Sequence, residues 1–296
     1  MHRNAKPTSV GHRDLLDSLV IIDVSYLAHR AKWSVGDMSY NGRPTGVLYG
    51  MLLQLGRLQR LFPAEAVYTF AWDSAVSLRR KILPEYKRSR QKEPTPEDEK
   101  IQHEFYQQIN MLRSEILEPI GFYNHIMRRG YEADDAIASI VNWWTQNRKG
   151  SVWIVSSDDD LFQLLDKAEM YRPHINRNYT QSQFRLDYGI EPADWIEVTA
   201  IAGTHNEVPG VYGVGVKTAI RYFLGEPVPA KKKEAIAQAY ADGLIDRNRE
   251  LIRLPYRNAN LIPSNFDPKS YRVDERGWDE VQRAFGFASL SIETKR

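Results

Sequence analysis

"SVWIVSSDDDLFQLL", residues 151–165, places a short β-branched and aromatic run directly before three aspartates and an apolar helical run. "SVWIV" (151–155) reads as a buried strand. Asp158, Asp159 and Asp160 then stand side by side, where their mutual repulsion contributes nothing to folding. Two earlier runs have the same character, "LVIID" (19–23) and "AVYTFAW" (66–72). Helical periodicity lies between them, in "TGVLYGMLLQLGRLQRLF" (45–62) and "ADDAIASIVNWWTQ" (133–146). Strands alternating with helices predict an α/β fold with a central, mostly parallel sheet flanked by helices. In such sheets the ligand crevice lies beyond the carboxyl ends of the strands. Asp23, Asp73 and Asp158 end or follow the three runs, so they should converge on that edge.

"GYEADDAIASI" (130–140) adds Glu132, Asp134 and Asp135 at the entrance to a helix, and Asp160 lies two residues past Asp158. Seven carboxylates in one crevice cannot all stay ionised without cations. The chain has no cysteine, so a bound metal would take oxygen or imidazole ligands. All-oxygen sites of this kind suit Mg²⁺ or Mn²⁺ and phosphodiester hydrolysis. A single Asp at a helix start is more often a cap. Capping accounts at most for Asp134, Asp135 and Asp160, and Asp23 is expected to have no such task. Asp159 is expected to point away from the crevice.

With 296 residues and 42% hydrophobic content the chain can bury a full core. It has no apolar stretch long enough to span a membrane and no secretory signal, which predicts a soluble, cytoplasmic protein. The net charge of +2 is uninformative, but its distribution is not. Residues 79–92 carry Arg79, Arg80, Lys81, Lys87, Arg88, Arg90 and Lys92 against one acid, Glu85. This basic run, with Tyr86 interleaved, reads as a DNA contact, and basic plus aromatic groups suit a single strand. Beyond Pro94 and Pro96 a helix is predicted with Ile101, Phe105, Leu112 and Ile116 as its buried stripe. "VPGVYGVGVKTAIRYF" (208–223) is the second candidate: Gly210, Gly213 and Gly215 allow a tight turn with outward amides, and Lys217 and Thr218 open a helix, an arrangement that binds phosphate without reading sequence.

"IIDVSYLAHR", "LRRKILPEYKRSR", "GYEADDAIASI", "IVSSDDDLFQLL" and "VPGVYGVGVKTA" stand in the order found in the 5′-nuclease family, which includes flap endonucleases and the 5′→3′ exonuclease domain of bacterial DNA polymerase I. The chain resembles the stand-alone bacterial or phage members over most of residues 19–225. The resemblance implies metal-dependent 5′→3′ exonuclease and flap endonuclease activity on DNA in replication or repair, by a monomer acting on 5′ ends or flaps. It puts Asp23, Asp73, Glu132, Asp134, Asp135, Asp158 and Asp160 at or near metal ligands and Arg30 at a substrate phosphate. Arg79 and Lys87 become the basic pair at the base of a helical arch, about residues 79–99. The glycine-rich stretch becomes a helix-three-turn-helix motif that grips duplex DNA, often with a potassium ion. The implied organisation is a nuclease core over 1–200 and a duplex-binding helical region over 201–296. One stretch departs from the pattern. Many members carry two aspartates before the glycine-rich motif as ligands of a second metal, whereas "AGTHNEVPG" (202–210) has Thr204, His205 and Asn206 there and Glu207 as its sole acid. The alternative is therefore a nucleic-acid-binding protein of the same fold with weakened or lost catalysis.

Overall fold

The computed structural model describes residues 18–35, 37–87, 95–204 and 207–290. Arg88, Arg90, His205 and Asn206 lie outside the described residues. In chain order the main elements are β1 (Leu19–Asp23), α1 (Val24–Val35), the short pair β2 (Ser39–Tyr40) and β3 (Arg43–Pro44), α2 (Gly46–Leu61), β4 (Val67–Ala71), α3 (Pro96–Met111), β5 (Asn124–Ile126) and α4 (Ala133–Asn147). After these come β6 (Val152–Val155), β7 (Glu169–Arg172), β8 (Arg177–Tyr179), α5 (Gln181–Tyr188), α6 (Trp195–Ala202), α7 (Val216–Phe223), α8 (Ala230–Ala241), α9 (Leu244–Ile252) and α10 (Glu275–Phe285).

The main sheet has the order β5-β4-β1-β6-β7-β8. Every pairing in it is parallel except the last, where β8 runs antiparallel to β7. All five residues of β1 are buried, and they alternate between two apolar clusters: Leu19 and Ile21 face one, Val20 and Ile22 the other. A central parallel strand covered on both faces has to be apolar throughout, which is why "LVIID" shows no polar alternation. The Val20 face packs against α1, α2, α3 and α10; the Leu19 face packs against α4 and helices α5 to α9. Residues beyond 200 enter both clusters, through Ile220, Ile245 and Leu251 on one side and Trp278, Val281 and Phe287 on the other. The boundary expected at 200 is therefore not a break in packing.

The helix expected after the prolines is α3, started by a reciprocal cap: Asp98 N donates to Thr95 Oγ1 at 3.2 Å and Thr95 N donates to Asp98 Oδ2 at 3.0 Å. Its buried stripe differs from expectation at one position. Phe105, Leu112 and Ile116 are buried, but Ile101 is 39% exposed, because the first turns of α3 project past the core. Buried Gln108 anchors the helix by accepting Val47 N at 2.9 Å at the start of α2. Within the expected arch, the described parts are a 3₁₀ turn over Leu78–Lys81, the segment onward to Lys87, and the start of α3.

Candidate active site

Strands β4, β1 and β6 lie side by side and parallel, so the residues at and just beyond their carboxyl ends gather at one edge. Asp23 closes β1, Asp73 comes just after β4 and Asp158 just after β6. The N-terminus of α4 delivers Glu132 and Asp134 to the same edge, where Ala133 N donates to Asp73 Oδ1 at 2.8 Å. Hydroxyls stitch the strand ends together: Ser156 Oγ donates to Asp23 Oδ2 at 2.7 Å, and Ser25 Oγ donates to Asp73 Oδ2. These serines were not singled out from the sequence. Their signal was present, since Ser156 sits between a buried strand and Asp158, on the edge where ligands bind.

Capping turns out to be shared more widely than expected. Asp23 Oδ1 accepts Tyr26 N at 3.0 Å in the first turn of α1, and Asp158 Oδ1 accepts Asp160 N at 2.9 Å. The expectation that Asp23 has no capping task is thus corrected. Each cap uses one carboxylate edge and leaves lone pairs for other partners.

Electrostatics separates two groups of acids. Burial, outweighing its hydrogen bonds from Ser156 and Tyr26 and reinforced by Asp73 and Asp158, raises Asp23 to about 7. Burial, then Asp158 and Asp23, pushes Asp134 well above the usual carboxylate range. Asp160 rises to about 8 through burial and the charges of Asp158 and Glu207. Glu132 behaves oppositely: burial works against its charge, but Lys87 and Arg79 hold it below the usual range. Asp159 is also raised, by burial, although Arg172 opposes the shift from 3.1 Å.

Among the described residues, no three His, Asp or Glu side chains stand close enough as they are to hold a metal ion. The donor set nevertheless fits one. It offers only oxygen, and the charges of Asp73 and Asp158 help raise the proton affinity of Asp23 and Asp134, a repulsion that a hard divalent cation would relieve.

Three expected roles need correction. Arg79 is 2% exposed and forks onto Asp135 with contacts of 2.7 and 2.8 Å, while its Nε donates to Leu251 O at 2.7 Å. It has no face turned to a DNA phosphate. Asp135 is fully buried and also accepts Tyr256 N at 2.7 Å and Glu132 N at 3.0 Å, so its oxygens are committed away from any metal. Tyr86 is 4% exposed, with its hydroxyl 3.0 Å from both Glu132 Oε2 and Glu207 Oε2, and cannot stack on a base. A basic or aromatic residue reads the same in a charged run whether it faces solvent or its own core.

Lys87 is the cation that does reach the acids, with Nζ 3.0 Å from Glu132 Oε2 and 3.5 Å from Glu207 Oε1. Arg30 lies on α1, half-buried, where its charge acts on Tyr171 and His174. Beside it runs an unanticipated polar chain: Ser157 Oγ lies 2.9 Å from Tyr26 Oη and 2.7 Å from His174 Nδ1. Arg80 is exposed on its 3₁₀ turn.

In the glycine-rich stretch, Gly215 precedes α7, Lys217 is exposed and Thr218 half-buried. Gly213 has φ +73°, a conformation that suits glycine. Gly210 has a different task from the outward amide expected of it. A Cβ there would lie 2.1 Å from the Ala202 carbonyl carbon, so glycine is required for the loop to close on the end of α6. Asn248, fully buried, secures that closure by donating through Nδ2 to Ala200 O and Pro209 O, both at 2.9 Å.

Comparison with known proteins gives a consistent result. The family described as "5'-3' exonuclease, N-terminal resolvase-like domain" matches residues 18–189. A 5'-3' exonuclease of Buchnera aphidicola subsp. Schizaphis graminum is 31% identical over 247 residues, covering 81% of this chain and 77% of that protein. One from Aquifex aeolicus is 32% identical, covering 69% and 68%. The thermostable DNA polymerase I of Thermus filiformis is 29% identical over 206 residues, which is 69% of this chain and 23% of that protein. Among solved structures, T5 5'-exonuclease with bound divalent metal ions (zinc) superposes with a TM-score of 0.64 at 22% identity, covering 80% of this chain and 90% of that one. The catalytic core of Rad2 in complex with DNA substrate gives 0.58 at 13% identity, covering 91% and 86%. These two likenesses concern the fold.

Proposed function

Because the chain belongs to the 5′-3′ exonuclease family, we propose that it hydrolyses DNA phosphodiester bonds at 5′ ends and 5′ flaps, using Mg²⁺ or Mn²⁺. The observation that carries this reading is the gathering of Asp23, Asp73, Asp134, Asp158 and Asp160 at the carboxyl edge of the sheet, where burial and mutual repulsion raise three of them far above the ordinary carboxylate range. A divalent ion held there supplies charge stabilisation and a nucleophile at neutral pH. Asp23, Asp73, Asp134 and Asp158 would hold it firmly. A second ion would be recruited weakly, with help from the DNA phosphate, since Thr204 brings no charge and Glu207 is engaged with Lys87 and Tyr86.

The remaining groups position the strand. Lys87 presents a cation beside the acids, where negative charge grows on the scissile phosphate. Although burial works against that charge, Glu132, then Glu207 and Asp134, hold the ammonium above the usual lysine range, so it stays protonated. Arg30 and Arg80 offer further phosphate contacts. The turn from Gly210 to Thr218, with exposed Lys217, would grip the duplex, with K⁺ bound at its glycines. We place the enzyme as a monomer in the cytoplasm, with DNA.

Cleavage of a labelled 5′ flap in Mg²⁺, compared with the same reaction in EDTA, tests the proposal. The expected result is metal-dependent release of the flap and of short 5′ products. Tight flap binding without cleavage in either Mg²⁺ or Mn²⁺ would favour the second reading, a DNA-binding protein of this fold. The loss of carboxylates from "AGTHNEVPG" is the observation on its side.

A further inference from the structure

We infer that Glu207 is a positioning residue that acts through Lys87 and couples the duplex-binding turn to the cleavage site; this rests on the nuclease reading above. Lys87 has φ +59°, a left-handed conformation that a side-chain-bearing residue keeps only where its surroundings hold it. Its surroundings here are two carboxylates from different parts of the chain. Glu132 comes from the start of α4 and meets Nζ at 3.0 Å; Glu207 comes from the loop after α6 and meets it at 3.5 Å. The Tyr86 hydroxyl sits 3.0 Å from the same two side chains. A phenol has one proton and can donate to only one carboxylate at a time, whereas an ammonium has three N–H groups and serves both. Lys87 is therefore the natural bridge, and Glu207 fixes the direction in which its amine points.

The placement of Glu207 gives this contact its meaning. Three residues later comes Gly210, closed onto α6 and locked by Asn248, and then the phosphate-binding turn. Duplex DNA seated on that turn holds the loop, the loop holds Glu207, and Glu207 holds the amine beside the acids. Both Glu207 oxygens are used this way, Oε1 facing Lys87 and Oε2 facing Tyr86. Gln at 207 would keep an acceptor for Tyr86 and lose the charge that orients Lys87, so substitution isolates the proposed function.

The experiment uses the full chain on a 5′-flap substrate in Mg²⁺. Glu207→Gln is expected to lower kcat about 10-fold with KM and duplex affinity in Ca²⁺ little changed, and Glu207→Asp to recover part of the loss. In a Lys87→Met background, read by single-turnover kinetics, Glu207→Gln should cost almost nothing further, the non-additivity of residues that act as one unit. Calorimetric Mn²⁺ titration of the DNA-free protein should give the same stoichiometry for wild type and Glu207→Gln. An undiminished cost in the Lys87→Met background overturns the proposal, and so does loss of one Mn²⁺ site, which would make Glu207 a metal ligand. A wild-type chain that binds the flap but never cuts it overturns the nuclease reading instead, and this inference with it.

Discussion

Asp158→Asn removes a charge that raises Asp23, Asp134 and Asp160, so it should weaken cation binding without disturbing the fold around it. Cleavage of a 5′ flap by this variant, or by Asp134→Asn, should fall at least ~10²-fold, while DNA binding in Ca²⁺ persists. Steady-state rates on a labelled flap check this, and wild-type rates from Asp158→Asn would remove the metal assignment. The cations divide differently. On the proposed function, Lys87, held against Glu132 and Glu207 beside the acids, would serve the chemical step, and Lys217, exposed at the start of α7, would serve duplex affinity. Lys87→Ala should depress the rate more than the affinity, and Lys217→Ala the reverse. Each lost phosphate contact should flatten the log–log salt dependence of binding by about one unit. Fluorescence anisotropy over a salt series, run beside the kinetics, separates the two.

At the scale of elements, the buried Arg79–Asp135 pair joins three parts of the molecule. Arg79 rides on the 3₁₀ turn after β4, Asp135 on α4, and the pair reaches Leu251 at the end of α9 and the Tyr256 amide beyond it. Removing one partner leaves a charge buried and unpaired. Asp135→Asn or Arg79→Met should therefore cost about 3–5 kcal/mol of stability, measured by urea unfolding, whereas Arg80→Met on the exposed neighbour should cost almost nothing. That contrast marks where sequence reasoning worked and where it stopped. Strand–helix alternation and the carboxyl-edge rule predict that Asp23, Asp73 and Asp158 gather at the sheet edge where they lie, because both are local patterns with one topological consequence. Arg79 and Tyr86 were assigned to DNA because their partners lie 46 to 172 residues away, and no local pattern records such a contact. Ile101 failed for a related reason: helical periodicity gives the face of α3 but not how far the helix extends past its support.

For the whole molecule, the acids set a pH dependence that a bound cation should reverse. In an unfolded chain Asp23 and Asp160 would lose their protons near the ordinary value of 3.8; in the folded protein they keep them to about 7 and about 8. Between these limits the folded state binds more protons than the unfolded one, so stability falls as pH rises through the window. Below the lower limit both states are protonated and this contribution is constant. EDTA-treated protein should therefore melt at higher temperature near about pH 6 than near about pH 8.5, whereas salt-bridged carboxylates, ionised in both states across this window, would give no such fall. A divalent ion competes with those protons for the same oxygens, and its binding should release them. Saturating Mn²⁺ should then raise the melting temperature more at the higher pH, and Asp23→Asn should both flatten the metal-free profile and reduce the Mn²⁺ effect. Scanning calorimetry at matched ionic strength measures all of these. A metal-free melting temperature that climbs steadily across the window would show that Asp23 and Asp160 are not crowded in the folded protein, and the case for a cation at this edge would lose its electrostatic support.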